Sequence, residues 1–398
     1  MPVSSSRRSS LALVVVVIVL GLNLRTVFAS LPPLLETIRD DLGLSATASG
    51  LLTTGPVLCL GLLAPLAPRL GRHVALERVL WLGLAATAGG LALRGADGIG
   101  WLFAGTLLAG AGVAVAQVAL PVLVRIRHPQ RTGVLTGAFS MSLTLSGTVA
   151  AATAVPLERA LGSWPAALAF WALPAALVTL LWTAPAVRAR PLPAGDVPHR
   201  PWRSPLGWWL GAFFGIQSAA FYATLAWLPT ILQADGYGER DAGLLLALAT
   251  FVSFVPAFAV PFLAGRLRDQ RAVLVVTVVV PVAGFAGLAA APGAAAAWVM
   301  LIGLGQGGTL GLGLLLPAIR AAGAAEAGPL MGMVQCIGYT MAAAGPWIIG
   351  LAYDVAGNWT VPLYVLLAIT ALELVPGLVG ARSRRGARSP DAALPRTA

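Results

Sequence analysis

An arginine lies near the middle of the first apolar run of the chain, in the stretch LGLNLRTVFASLPPLL at residues 20–35. No aspartate or glutamate lies within ten residues of Arg25 on either side. In a helix that rises ~1.5 Å per residue, Arg25 would be about 21 Å from one end and far from the other. Its guanidinium is permanently charged and presents a planar fork that can donate two parallel hydrogen bonds. This placement predicts an anion-binding group inside a bundle or a wet cavity.

A structural role for Arg25 is the alternative, with helix-end carbonyls or Asn23 as its partners. Residues two apart on a helix are separated by a rotation of about 200° around the helix axis, so the side chains of Asn23 and Arg25 would point in nearly opposite directions. We interpret Asn23 either as a hydrogen-bonding residue between helices or as a pocket-lining residue.

The chain contains an internal repeat with a spacing of 195 to 197 residues. SLPPLL at 30–35 corresponds to WLPTIL at 227–232, and GVLTG at 133–137 corresponds to GPLMG at 328–332. At the shift of 197, Arg25 corresponds to Tyr222, so we expect the two to face each other across a pseudo-symmetry axis. A phenol hydroxyl next to a guanidinium suits a small polar anion.

Further candidates for substrate binding are polar or aromatic residues inside apolar runs. Three pairs are spaced i and i+4, which places each pair on one helix face. Two of these pairs also correspond to each other at the shift of 195, although hydroxyls that bond back to their own helix are the alternative. The candidates are Gln217 and Phe221 in the seventh run, Ser140 and Thr144 in the fifth, Gln335 and Tyr339 in the eleventh, Gln117 in the fourth and Gln306 in the tenth.

Composition indicates the elements that must position these residues. The chain has 398 residues, of which 58% are hydrophobic and only 10% charged, whereas soluble domains carry about 25% charged residues. Apolar runs of about 20 residues recur along the whole length and predict an all-α membrane protein. The twelve predicted spans are 11–35, 47–68, 75–94, 99–124, 133–156, 164–184, 206–232, 241–264, 272–291, 295–319, 329–352 and 360–380.

The distribution of charge predicts the orientation. All 26 cations are arginines, and 21 of them lie at the N-terminus, in alternate loops or in the tail. The positive-inside rule therefore predicts a multi-pass protein of the cell membrane with both termini in the cytoplasm. Arg39, Arg94, Arg159 and Arg240 are assigned to the outer loops. The basic tail is expected to contact anionic lipid and not nucleic acid.

The internal repeat and the number of spans together predict two six-helix halves in parallel orientation. The first half is residues 1–184, and the second is residues 206–398, which includes the basic tail. A cytoplasmic linker, 185–205, is rich in proline and arginine. Parallel repeats of this kind place a ligand site at their interface and expose it alternately to the two sides. We expect a monomer.

Residues for metal, cofactor or covalent chemistry are not clustered in the apolar runs. Cys59 and Cys336 fall inside separate runs, the three histidines fall in loops, and Glu373 is the only acid inside a predicted span and away from its ends. An enzyme would need clustered nucleophiles, bases or ligands at membrane depth. We therefore predict no cofactor, no metal and no enzyme activity.

The loop sequence LAPRLGRH at 66–73, between the second and third runs, resembles the signature of the major facilitator superfamily. Arg69, Gly71 and Arg72 match that signature, Pro68 replaces its aspartate, and Arg266 follows in the repeated LAGRL. The stretches GLNLR at 21–25 and GIQSAAFYATLAWLP at 215–229 are similar to the cyanate and nitroimidazole transporter family. The resemblance implies a gating role for the loop residues and traffic of small anions or nitro-heterocycles.

We therefore predict a secondary transporter that moves a small anion or a small nitrogenous compound by alternating access. A drug-type efflux transporter of the same fold is the alternative, favoured by the aromatic residues. The expected partners are the small-molecule substrate, the bilayer and either a coupling proton or a counter-substrate.

Overall fold

A computed structural model describes residues 14–44, 46–71, 73–189, 201–321 and 323–382. Within these ranges the chain is helical and contains no strand, so the predicted all-α fold is confirmed. Apart from the short helix Leu35–Leu42 and three single 3-10 turns between elements, the described helices form twelve segments, several of them interrupted by a turn. In chain order they are α1 (14–21, Thr26–Ala29 and Pro32–Leu34), α2 (Ala46–Leu63 and Leu66–Leu70), α3 (Leu76–Leu93), α4 (Ile99–Arg127), α5 (Thr132–Leu161), α6 (Trp164–Phe170 and Ala172–Arg188), α7 (Pro205–Ala234), α8 (Glu239–Val252 and Phe254–Ala264), α9 (Arg271–Ala290), α10 (Ala295–Arg320), α11 (Ala324–Ala342 and Ala344–Ala356) and α12 (Thr360–Leu372 and Leu374–Gly380).

These segments have the lengths that a membrane requires. Ten of them are long and apolar enough to cross a bilayer, and the apolar stretch Thr54–Leu70 of α2 is shorter. The remaining segment, α7, has 30 residues, which at 1.5 Å per residue is about 45 Å. The twelve predicted spans therefore correspond to twelve helical segments of a multi-pass membrane protein.

The boundary between the halves differs from the expected one at one end. α6 continues to Arg188, so residues 185–188 of the predicted linker are helical. α7 begins at Pro205, and Ser204 caps it by accepting a hydrogen bond from the Gly207 amide at 3.3 Å. Residues 190–200 of the predicted linker and the tail from 383 onward lie outside the described residues.

The first segment is not the continuous helix that the sequence predicts. After residue 21 the backbone makes tighter turns, with amide-to-carbonyl bonds from Asn23 to Leu20 (3.3 Å) and from Leu24 to Gly21 (3.1 Å). Helix resumes at Thr26, so Arg25 lies at the end of the interruption. The expected rotation of about 200° between Asn23 and Arg25 assumed a regular helix, which the backbone does not form between these two residues.

The two halves pack closely toward one end of the bundle, which we call the arginine-rich side because Arg69, Arg127 and Arg268 lie at that end. There α5 of the first half meets α8 of the second through small residues. A Cβ added to Gly133 would lie 2.8 Å from the Pro261 carbonyl oxygen, and one added to Gly137 would lie 2.6 Å from that of Phe258. Larger side chains would force the halves apart at this side.

Candidate functional site

Arg25 projects from the interruption of α1 toward the second half of the molecule. Its Nη1 donates to the hydroxyl oxygen of Tyr222 at 3.4 Å, which is a long bond. Its Nε is buried and has no hydrogen-bond partner among the described residues. The residue as a whole is half-buried. The guanidinium therefore retains donors that no side chain of the described part satisfies.

Two aromatic rings of α7 flank this guanidinium. The Arg25 Cζ lies 5.8 Å from the ring centroid of Phe221 and 5.9 Å from that of Tyr222. The two rings meet edge to face, with centroids 5.4 Å apart. Contacts of this kind stabilise a cation by about 0.5–2 kcal/mol. The repeat thus placed Arg25 and Tyr222 correctly opposite each other.

The α5 side of the site depends on a close approach to α1. A Cβ added to Gly147 would lie 3.8 Å from the Arg25 Cβ, and one added to Gly21 would lie 1.9 Å from the Ser142 hydroxyl oxygen. The half-buried Thr144 lies one turn before Gly147. Its hydroxyl donates to the carbonyl oxygen of Ser140 at 3.2 Å. Thr144 is thus next to the site, although its proton is used within its own helix.

Ser140 does not take the expected part in the site. It is fully buried and its hydroxyl donates to the Thr136 carbonyl oxygen at 2.9 Å. This is the back-bonding geometry of hydroxyls in apolar helices.

A second group of polar residues connects the halves through α4 and α11. The Gln117 amide donates to the hydroxyl oxygen of Tyr339, and the Gln335 amide donates to the Gln117 carbonyl oxygen at 3.4 Å. The Tyr339 hydroxyl also interacts electrostatically with Arg25. The Oε1 atoms of both glutamines are buried and unpartnered among the described residues. This group therefore adjoins the Arg25 site and has two acceptor oxygens, one on each glutamine, that no described residue uses.

Three predicted site residues have other immediate partners. Asn23 donates to the Val19 carbonyl oxygen at 2.8 Å within α1 and makes no side-chain hydrogen bond to another helix in the described part of the chain. Gln306 donates to the Thr224 hydroxyl at 2.9 Å and connects α10 to α7 inside the second half. Gln217 is buried on α7, where its Oε1 accepts from the Ser218 hydroxyl at 3.2 Å.

The predicted gating residues are at the arginine-rich side. Arg69 is in the last turn of the second piece of α2, and Gly71 caps that piece. Arg266 places its guanidinium 3.9 Å from the ring centroid of Phe262. Arg72 lies outside the described residues.

Sequence reasoning missed a second buried arginine. Arg94 was assigned to an outer loop, but in the structure it has no exposed surface at the end of α3. Its Nε donates to the Thr106 hydroxyl and its Nη2 to the Val27 carbonyl oxygen, each at 3.0 Å. The charge pattern predicted only the side of the membrane for Arg94 and not its burial, because position in the chain does not reveal a partner 67 residues away.

The chain is similar to known transport proteins over most of its length. The sequence profile of the Major Facilitator Superfamily matches residues 11–346. The 2-nitroimidazole transporter of Escherichia coli (strain K12) is 34% identical over 386 residues, which cover 96% of this chain and 98% of that protein. The cyanate transport protein CynX of the same strain is 32% identical over 351 residues, or 87% of this chain and 91% of that protein.

A solved structure has the same fold at low sequence identity. The crystal structure of the transporter FucP in the outward conformation superposes with a TM-score of 0.75. The match covers 93% of this chain and 98% of that chain at 13% identity, so it shows the fold alone.

Proposed function

Because the chain belongs to the Major Facilitator Superfamily, in the branch of the cyanate and nitroimidazole transporters, and is a secondary transporter of small anions or small nitrogenous compounds, we propose that Arg25 binds the transported molecule. One observation carries the proposal: the Arg25 guanidinium lies between the halves with one long hydrogen bond to Tyr222, an interaction with the Tyr339 hydroxyl, and an Nε that has no partner in the described part of the chain. A buried guanidinium with neutral partners and an unused donor is unfavourable, and a bound anion would supply a charged acceptor.

The surroundings of Arg25 favour a small, flat molecule. A guanidinium edge donates two parallel bonds to adjacent oxygens, as in a carboxylate, nitrate or nitro group. Phe221 and Tyr222 offer ring faces and edges to a planar ligand, and the Tyr222 hydroxyl adds a donor. The names of the two relatives, for 2-nitroimidazole and cyanate, agree with this chemistry.

The site joins the halves, as alternating access requires. Arg25 belongs to the first half and Tyr222 to the second, so rocking the halves changes their separation. Close packing at the arginine-rich side, together with the partial exposure of Arg25, supports an outward-facing state with that side and both termini in the cytoplasm. Inward movement of one anion against 100 mV would cost about 2.3 kcal/mol, so uphill import needs coupling.

Uptake by proteoliposomes tests the site. Arg25→Ala should abolish uptake of the substrate, and Arg25→Lys should restore it poorly because a point charge replaces a fork. Arg39→Ala is the matched control, since it removes the same charge from an exposed position. Normal uptake by Arg25→Ala would refute the proposal.

A thermal-shift screen identifies the substrate class. Purified protein is tested with cyanate, nitrate, benzoate and 2-nitroimidazole, because a ligand that binds only the folded state raises the apparent melting temperature. We expect at least one of these probes to stabilise the wild type and the Arg39→Ala variant but not Arg25→Ala. Equal stabilisation of all three proteins would place the binding site elsewhere.

A further inference from the structure

Glu373 is the one buried acid among the residues whose side chains the structure describes. It lies between the two pieces of α12, where the helix is interrupted, and is only 2% exposed. Its Oε2 is buried and has no hydrogen-bond partner in the described part of the chain.

Helix packing places Glu373 on the level of Gln217. α12 runs antiparallel to α7: a Cβ added to Gly380 would lie 2.7 Å from Leu210, and one added to Gly377 would lie 3.0 Å from Phe213. Glu373 lies four residues before Gly377 on α12, and Gln217 lies four residues after Phe213 on α7. Residues four apart share a helix face, and the two helices run in opposite directions, so Glu373 and Gln217 lie at the same level. Gln217 in turn is one turn before Phe221, which flanks Arg25.

The helices packed against α12 bring no charged group to this level. The cation of α9 is Arg271. A Cβ added to Gly377 would lie 2.8 Å from Leu274, so Arg271, three residues before Leu274, is level with Gly380, three residues after Gly377. That level is seven residues from Glu373, or about 10 Å along the axis. Arg320 also bonds beside Gly380, to its carbonyl oxygen at 3.1 Å.

On α11, the Tyr339 ring contacts the Phe214 ring of α7, three residues from Gln217, and its hydroxyl accepts from Gln117. Cys336 and Glu326 of α11 lie farther toward the arginine-rich side.

The other titratable groups of these helices are farther toward the opposite end. They are Tyr222 on α7, with Asp235 just past its end, Tyr353 and Asp354 near the end of α11, and Tyr364 on α12 itself. An ionised carboxylate at Glu373 would therefore lack a counter-ion, and such a group in an apolar interior is costly unless it takes up a proton.

We propose that Glu373 binds a proton that is transported together with the anion at Arg25. The step is balanced: the carboxylate takes one proton from the aqueous side that is open, forms a carboxylic acid, and releases the proton to the other side after the halves have rocked. One anion and one proton move together, so a cycle carries no net charge. The inference rests on the proposed anion site and adds its coupling ion.

Gln217 provides the physical connection between the two sites. It shares a helix face with Phe221 beside the anion and faces the level of Glu373 on the other helix. Its amide can donate to a carboxylate or accept from a carboxylic acid, so it can respond to the protonation state. Movement of α7 during rocking would change both sites together.

The coupling is tested in proteoliposomes with an inside-alkaline pH gradient and no membrane potential, using cyanate and nitrate separately. Electroneutral cotransport predicts an accumulation of about tenfold per pH unit for the wild type. Glu373→Gln mimics the protonated acid and should lose this accumulation while it still exchanges anion for anion. Asp354→Asn makes the same chemical change at an exposed position of α11 and should behave as the wild type.

Two results would overturn the proposal: accumulation by Glu373→Gln equal to that of the wild type, or anion uptake by the wild type without proton uptake, followed with an internal pH dye. Failure of the proposed anion site can be distinguished from failure of the proposed proton site. If the anion site were wrong, Arg25→Ala would still bind the anion in the thermal-shift assay, independently of any result at Glu373.

An infrared spectrum gives a readout that needs no substrate. The purified wild type and Asp354→Asn should show a carbonyl band of a protonated carboxylic acid at neutral pH, and Glu373→Gln should lack it. A spectrum without that band in the wild type would mean an ionised Glu373 and would also refute the proposal. Glu373→Asp keeps the acid and should keep proton coupling with a shifted pH profile.

Discussion

Two arginines of the first half, Arg25 and Arg94, differ in their surroundings. Arg94 has no exposed surface and makes two hydrogen bonds of 3.0 Å to Thr106 and Val27, both in its own half, while its Nη1 has no partner in the described part of the chain. Arg25 is half-buried, and its partners, Tyr222 at 3.4 Å and Tyr339, belong to the other half. Each arginine has one unpartnered buried nitrogen, so neither burial nor an unused donor alone indicates function; the position of Arg25 between the two halves distinguishes it.

The two arginines are also connected through the backbone. Val27 belongs to the four-residue helix Thr26–Ala29 that follows Arg25. Carbonyls at the end of a short helix lack helical partners, and the bond from Arg94 satisfies one of them. Arg94 therefore acts as a positioning residue that holds the segment from which Arg25 projects.

The strongest test of the contrast is loss of function without loss of stability at Arg25. Two charge-assisted hydrogen bonds are worth about 3–6 kcal/mol, so Arg25→Ala should lower transport by about a thousandfold. Its apparent melting temperature should stay equal to the wild-type value or rise, because an unsatisfied buried donor is removed. Transport is measured in proteoliposomes and melting in detergent. A large drop in melting temperature would make Arg25 a structural residue like Arg94.

The opposite pattern is expected at Arg94. Arg94→Met retains much of the volume but leaves the Val27 carbonyl without its donor, so the variant should lose about 3 kcal/mol of stability. Apparent melting temperature and resistance to denaturant measure the loss. We expect the remaining folded protein to bind the substrate, with a raised KM because Arg25 is held less firmly. Wild-type melting with abolished binding would reverse the assignment of the two arginines.

A smaller effect is expected when only one Arg94 partner is removed. Thr106→Val keeps the shape of the side chain and removes the acceptor of Nε, which should lower stability by about 2 kcal/mol. Thr144→Val is a suitable comparison, because the Thr144 hydroxyl donates only within its own helix. If both variants melted alike, the bond from Arg94 to Thr106 would contribute nothing specific.

The smallest effect is expected at Tyr222. Tyr222→Phe removes the hydroxyl at 3.4 Å and keeps the ring beside Arg25, so KM should change by only about twofold. Tyr222→Ala removes the ring as well and should raise KM further. A loss as large as that of Arg25→Ala would mean that the hydroxyl contacts the substrate more strongly than it contacts Arg25.

Much of the architecture could be predicted from local features of the chain. Runs of apolar residues of membrane-spanning length predicted the twelve helices, and the repeat at 197 residues predicted that Arg25 faces Tyr222. Both predictions depend on the composition and periodicity of the sequence, which can be determined without knowledge of tertiary contacts. The interruption of α1 could not be read this way; it follows Gly21, where α1 closely approaches α5, and that contact is not visible in local features of the chain.

The sequence by itself determined that this protein is a doubled bundle of membrane helices with a cation near the middle of the first. Only the tertiary structure decided which donors are already used: the Asn23 amide by Val19, the Gln306 amide by Thr224, and two of the Arg94 nitrogens by Thr106 and Val27. The physical reason is that a hydrogen bond is a short-range contact, often between residues distant in the chain. Spacing can place a residue on a helix face, but it cannot reveal which neighbour occupies its donors.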